Sequence, residues 1–121
     1  MTNTVTRNLS TLGTIPQTIP SSWPYTIAST DVGSHIYHTD STARTVIIPD
    51  NSVMPFPIGT AINFVNDYNA GTLTIQTNND ILVISGSGSQ ANTKNLSPTG
   101  YASAVKIANT RWILSGAGLA Q

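Results

Sequence analysis

Cysteine is absent from the 121 residues, and so is glutamate. Without a thiol the chain can form no disulfide and offers no thiolate to a metal, and nothing in it asks for an oxidising compartment. Charge is scarce as well: 8% of residues are charged and the formal net charge is zero, whereas about 25% are charged in an ordinary soluble domain. Such a surface does not draw in a phosphate backbone over distance, which argues against nucleic-acid binding. It also lacks the repulsion that keeps small proteins apart, so association with copies or partners is favoured. Long apolar runs are missing too. Ile81-Leu82-Val83-Ile84 is one strand long, far below what crosses a bilayer, and Met1 to Asn8 hold no stretch of the kind a secretory signal peptide requires. Synthesis and folding in the cytoplasm, with no membrane partner, are the expectation.

What is present divides near residue 23. Residues 1–22 are Thr, Asn and Ser with scattered Val5, Leu9, Leu12, Ile15 and Ile19, and carry a local repeat, Thr14-Ile15-Pro16 and then Thr18-Ile19-Pro20. Proline at every fourth residue forbids a helix and removes donors that a central strand would need. The segment therefore reads as an extended arm, 1–22, ahead of a folded domain, 23–121. Stretched at roughly 3.3 Å per residue, an arm of this length reaches about 70 Å. It is expected to lie along its own domain or a neighbouring subunit, with Trp23, followed by Pro24, anchoring its exit.

From Tyr25 onward the texture is period two, broken by turn residues. Tyr25-Thr26-Ile27-Ala28, Ser34 to His38, Thr45 to Ile48 and Ala61 to Asn66 all read as short strands. Thr72 to Thr77, Ile81 to Ile84, Tyr101 to Ala108 and Arg111 to Ser115 continue the series, with Asn69-Ala70-Gly71, Asn78-Asn79-Asp80 and Asn109-Thr110 as turns. In these segments Ile62 with Phe64, and Leu73 with Ile75, point inward, and Ile81 to Ile84 reads as buried on both faces. No segment holds a helical period over ten residues, and the abundance of threonine and asparagine disfavours helix. The predicted class is all-β: an antiparallel two-sheet sandwich, jelly-roll-like, with the arm extended at its N-terminus.

The search for chemistry is largely negative. His35 and His38, three apart on a strand, point to opposite faces and cannot share a metal. The five aspartates form no Asp-x-Asp calcium loop, and Asp67 and Asp80 sit in stretches that read as turns. A polysaccharide hydrolase would need two of them about 5–10 Å apart in a groove. Ser87 lies between glycines without a nucleophile-elbow pattern, and the run Ser85 to Ser89 lacks the lysine and following helix of a phosphate-binding loop. No catalytic, cofactor or metal residue is expected, and no enzyme. Aromatic residues are the remaining binding signal: Trp112 reads as core, and Tyr68, in a polar turn, as an exposed platform.

Asp31-Val32-Gly33-Ser34-His35-Ile36-Tyr37-His38, Thr45 to Pro49, Phe56 to Asp67, Gly71 to Ile75 and the closing Trp112 to Gly118 recur in a familiar order. In that order, residues from about 31 to 119 resemble a short β-rich domain of tailed-bacteriophage structural proteins, found in head and tail proteins alike. The resemblance implies a virion component with no catalytic residue. Standing behind a short arm, the domain is similar to a capsid decoration (cement) protein on the outer surface of the phage head. The partners so implied are the major capsid protein and copies of the chain itself, as a homotrimer. The alternative is a tail-fibre or receptor-binding module contacting host glycan. The side chains expected to meet a partner are Val5, Leu9, Leu12, Ile15, Ile19, Trp23 and Tyr68.

Overall fold

The period-two segments become strands nearly wherever the sequence shows them. The computed structural model describes residues 14–88 and 92–120. Among these are nine strands: β1 (Gln17–Thr18), β2 (Tyr25–Thr26), β3 (His35–His38), β4 (Arg44–Ile48), β5 (Ala61–Asn66), β6 (Leu73–Thr77), β7 (Ile81–Ile84), β8 (Thr93–Ala108) and β9 (Arg111–Ala120). The only helical element described is a single 3-10 turn at Ser29–Asp31. The fold is all-β.

The strands form one sheet in the order β1-β3-β5-β8-β6-β4-β2, with β9 on β8 and β7 on β9. It is curled into a half-barrel. The expected antiparallel pairing is corrected here, because the sheet is mixed. β1 with β3, β3 with β5, β2 with β4, β4 with β6 and β7 with β9 are parallel, whereas β8 is antiparallel to β5, β6 and β9. Parallel neighbours need a crossover, which is usually a helix. Here the crossovers among β1, β3 and β5 and among β2, β4 and β6 are strands on the other side of the molecule. The chain winds from β1 to β2, β3 to β4 and β5 to β6, laying odd strands into one wing and even strands into a second. Side chains alternate identically in parallel and antiparallel strands, so the sequence pattern is silent about the sense of pairing.

β8 joins the wings. Its Tyr101–Val105 segment pairs with β5 and its Thr93–Gln76 and Leu96–Leu73 pairs lie along β6. Between them Ser97 to Gly100 makes a corner that Pro98 and Thr99 (φ 65°) break from the ladder. β9 follows the bend at Gly116, whose positive φ and closeness to the backbone of Tyr101 and Ala102 leave no room for a Cβ.

Between the wings lies a single apolar core. Ile36, Ile62, Phe64, Ala102 and Ala104 come from the first wing and Val46, Ile48, Leu73, Ile75 and Leu96 from the second. Leu82, Trp112 and Leu114 extend it under β7 and β9, where Phe56 meets Trp112 edge-on with centroids 6.0 Å apart. Each such side chain contributes about 1.5–3 kcal/mol of burial. β7 departs from its expected double burial: Leu82 is buried, while Ile81, Val83 and Ile84 are only partly covered. Lys94 and Lys106 are both buried on the inner side of β8. The Lys106 ammonium donates to Asn51 Oδ1 at 2.7 Å, and desolvation lowers the Lys94 pKa.

The arm does not end where composition changes. β1 adds to the edge of the first wing, parallel to β3, and His35 N–H donates to Pro16 O at 2.8 Å. Gln17 and Thr18 thus join the sheet as a short edge strand, and the flanking Pro16 and Pro20 cost no ladder bond. Val5, Leu9 and Leu12 lie outside the described residues.

Candidate functional site

Three regions carry polar or exposed groups in arrangements that matter: the seam where the arm crosses between the wings, a loop clamp of buried carboxylates, and the two outer faces of the sheet.

At the seam, residues 19–24 lead from β1 on one edge to β2 on the other. Asp31 fastens both ends. Its carboxylate, which is buried, accepts from Thr18 Oγ1 (3.0 Å), Tyr25 OH (2.7 Å) and Ala28 N–H (2.8 Å). Burial of the Tyr25 phenol, reinforced by its bond to this carboxylate, pushes its pKa up to about 12. Trp23, half-buried and preceding a cis proline, sets its indole edge-on against the His38 ring with centroids 5.3 Å apart. Trp23 lies between β1 and β2 in the sequence and packs on the β3 histidine.

His38 continues the chain of contacts through the corner. Asn66 donates from Nδ2 to Gly71 O and Leu96 O, both at 2.9 Å, which fixes its Oδ1 toward His38 Nδ1 at 2.7 Å. The other ring nitrogen, Nε2, lies 3.1 Å from Thr42 O. One line of side chains therefore ties the arm (Trp23), the β3–β4 corner (His38), the β5–β6 corner (Asn66) and β8 (Leu96). His35, on the opposite face of β3, meets Gln17 instead, 3.1 Å away. The two histidines lie on opposite faces of β3, as the strand spacing required. Beside the corner Asp40 receives Thr42 N–H at 2.9 Å and Arg44 Nε–H at 2.7 Å. The Thr42 bond first, and then Arg44, hold its pKa below the ordinary carboxylate value.

Two shallow grooves flank Trp23. One, of about 370 Å³, runs between Trp23 and the outer side of β4 and β6, past Arg44, Thr45 and Gln76. The other, of about 240 Å³, lies under Ile19 and Pro20 and reaches Tyr37 and Asp40. Ile19 and Trp23 are thus brought to the same groove. Ile15 is 45% exposed and Ile19 63% exposed, so neither belongs to the core. Tyr68 stands apart, 69% exposed in the turn after β5, and lines neither groove.

Asp50 and Asp80 are close, but both are buried and both serve loop backbone. Asp50 accepts Asn79 N–H at 3.0 Å and Asp80 N–H at 2.9 Å, and Asp80 accepts Asn51 N–H at 2.8 Å. Burial raises the Asp50 pKa, yet the N–H donors outweigh it and the net shift is downward. Carboxylates committed in this way clamp the 50–54 and 78–80 loops together and are not presented in either groove. Among the described residues no cluster of three or more His or acidic side chains is placed to hold a metal ion.

The outer faces differ. On the first wing and the strands beyond it, the register lines up Ala61, Val105, Ile113 and Val83 in one row, and Tyr37, Val65, Tyr101 and Ala117 in another. A polar row, His35, Asn63, Ser103 and Ser115, lies between, with Ser103 Oγ donating to Asn63 Oδ1. The second wing presents Thr45, Thr74, Asn95, Ile47, Gln76 and Thr93, with Thr74 Oγ1 donating to Asn95 Oδ1 at 3.0 Å. Val105 and Ile107 share one side of β8 and Lys106 takes the other. The structure turns the lysine inward and the two apolar residues out, with Ile107 44% exposed. This face was not foreseen as a site, although the apolar residues at both alternate positions of Ile81 to Ile84 and at Ile113 were a visible signal.

No known protein family, no curated protein and no solved structure matches this chain.

Proposed function

We propose that this protein is a non-enzymatic virion component, a capsid decoration (cement) protein on the outer surface of a phage head. In this reading it binds the major capsid protein and copies of itself as a homotrimer, after synthesis in the host cytoplasm. The observation that carries it is the pairing of a β-domain with a nearly uncharged, partly apolar outer face and an arm that departs from the edge of that face. A clamp on a shell needs a stiff body, a flat surface for association and a connector. Many copies then multiply a modest contact energy through avidity, and contacts without ionised groups lose little to salt. The resemblance to tailed-phage structural domains points the same way, and a sandwich-like packing of the two wings across one core is compatible with the jelly-roll reading.

The second reading, a tail-fibre or receptor-binding module for host glycan, is favoured by a different observation. The hydroxyl and amide side chains of the second wing border the groove walled by Trp23, which offers an aromatic surface beside polar groups.

Antibody labelling of intact virions, viewed by electron microscopy, separates the two. Label over the head supports decoration, and label confined to the tail overturns it in favour of the fibre reading. Light scattering of the purified protein tests the trimer: a monomer at all concentrations would remove that part of the proposal.

A further inference from the structure

We propose that Lys106 and Asn51 join covalently, in an intrachain isopeptide bond that ties the loop after β4 to β8. Lys106 lies on the inner side of β8 and is 1% exposed. Its Nζ donates to Asn51 Oδ1 at 2.7 Å, across 55 residues of chain. Among the described residues that amide is its one side-chain partner, and the one ion pair is Arg44 with Asp40. A lysine ammonium carries three donors, and a buried charge without a carboxylate is costly to keep from water. A neutral amide in its place removes that cost.

Both reacting residues are held by their backbones. Lys106 N–H donates to Thr60 O at 2.9 Å, and Lys106 O accepts Gly59 N–H at 2.8 Å. Asn51 lies in a turn where Val53 N–H and Met54 N–H both donate to Asp50 O at 2.9 Å. Its own N–H goes to the buried Asp80 carboxylate at 2.8 Å. Amide formation requires the nitrogen to come within roughly 3–3.5 Å of the carbonyl carbon. The 2.7 Å bond to Oδ1 already keeps Nζ within about 3.9 Å of Cγ. A lysine amine that has given up its proton is a nucleophile toward carbonyl carbon. Held beside the amide, it is favoured over water by effective concentration.

In the step, the Nζ lone pair forms a bond to Asn51 Cγ, and the Cγ–Nδ2 bond breaks with its electron pair on nitrogen. Of the three ammonium protons, one stays on the new amide and the other two pass to Nδ2, which leaves as ammonium. Nothing is oxidised or reduced, and no further reactant enters. The product constrains the unfolded chain across 55 residues, as a disulfide would, in a protein that has no cysteine to make one.

The bond is a property of the isolated chain, so mass spectrometry of the purified full-length protein tests it separately from virion labelling. After incubation in mildly alkaline buffer, the intact mass is expected to lie about 17 Da below that of the unlinked chain, through loss of one ammonia. Trypsin is expected to release residues 45–94 joined to 95–111, because the linked Lys106 is no longer cleaved. Lys106→Met and Asn51→Ala should each abolish the deficit. An unchanged mass with free 45–94 and 95–106 peptides would overturn the proposal. So would a deficit that persists in Lys106→Met, which marks a succinimide at an asparagine instead, and so would joined peptides found only at a doubled intact mass. The digest of the unsubstituted protein gives its answer even where a variant fails to fold.

Discussion

The two wings share a core but present opposite exteriors. Inside, Ile62 and Phe64 of the first wing face Val46 and Ile75 of the second, all fully buried. Outside, the first wing shows Val65, Tyr101 and Val105, whereas the second shows Thr45, Thr74 and Gln76. Core packing has no use for this difference, since the outer positions do not enter the core. It belongs to what each surface meets outside the core.

The comparison can be broken or sharpened by substitution. Ile62→Ala and Ile75→Ala remove equivalent inner side chains from the two wings, and each is expected to cost about 2–5 kcal/mol. Urea denaturation yielding a large loss for one and almost none for the other would show that only one wing belongs to the cooperative core. Asn66→Ala tests the coupling between wings, because it leaves Gly71 O, Leu96 O and His38 Nδ1 without their bonds. A loss of about 2 kcal/mol is expected, with a single unfolding transition displaced as a whole. Two transitions would mean that the corner, and not the core, holds the wings together.

Acid probes the loop clamp. The folded pKa of Asp50 is depressed below its unfolded value. Its contribution to stability is therefore complete above the ordinary aspartate pKa of about 3.9 and is lost as pH falls through the lower folded value. Thermal melting followed from neutral pH downward is expected to decline in this acid range, and the decline should be smaller in Asp50→Asn. An unaltered acid limb would assign the loss to other carboxylates. The smallest effects on folding are expected at the outer faces. Val105→Lys and Gln76→Lys should each change stability by less than about 1 kcal/mol. Any self-association seen by sedimentation velocity should weaken with the first and persist with the second. The reverse result would move the association surface to the polar wing.

Legibility in the sequence followed the same division. Alternation located β4, β5 and β6 nearly to the residue, because half-buried strands must place apolar groups on one side. It missed β1, where Gln17 and Thr18 carry no apolar signal and the bonds belong to an edge. It also missed the first half of β8, where a buried lysine, Lys94, stands at an inner position. The contact of Trp23 with His38 left no trace in the sequence. The pairing of His38 with Asn66 was equally invisible, since the two are 28 residues apart and become neighbours only through parallel winding.

The β class, many of the residues that fill the core, the turns and the absence of thiol chemistry were all set in the sequence. These are local consequences of side-chain periodicity, backbone preference and composition. Only the tertiary structure decided that the strands run parallel across alternating wings, that Asp50 and Asp80 clamp loops, and that Val105 faces outward while Lys106 faces in. Period-two alternation distinguishes the two sides of a strand, but it carries no mark of which side will be inward or which strand will lie beside it. Those choices depend on how the whole chain closes around one core.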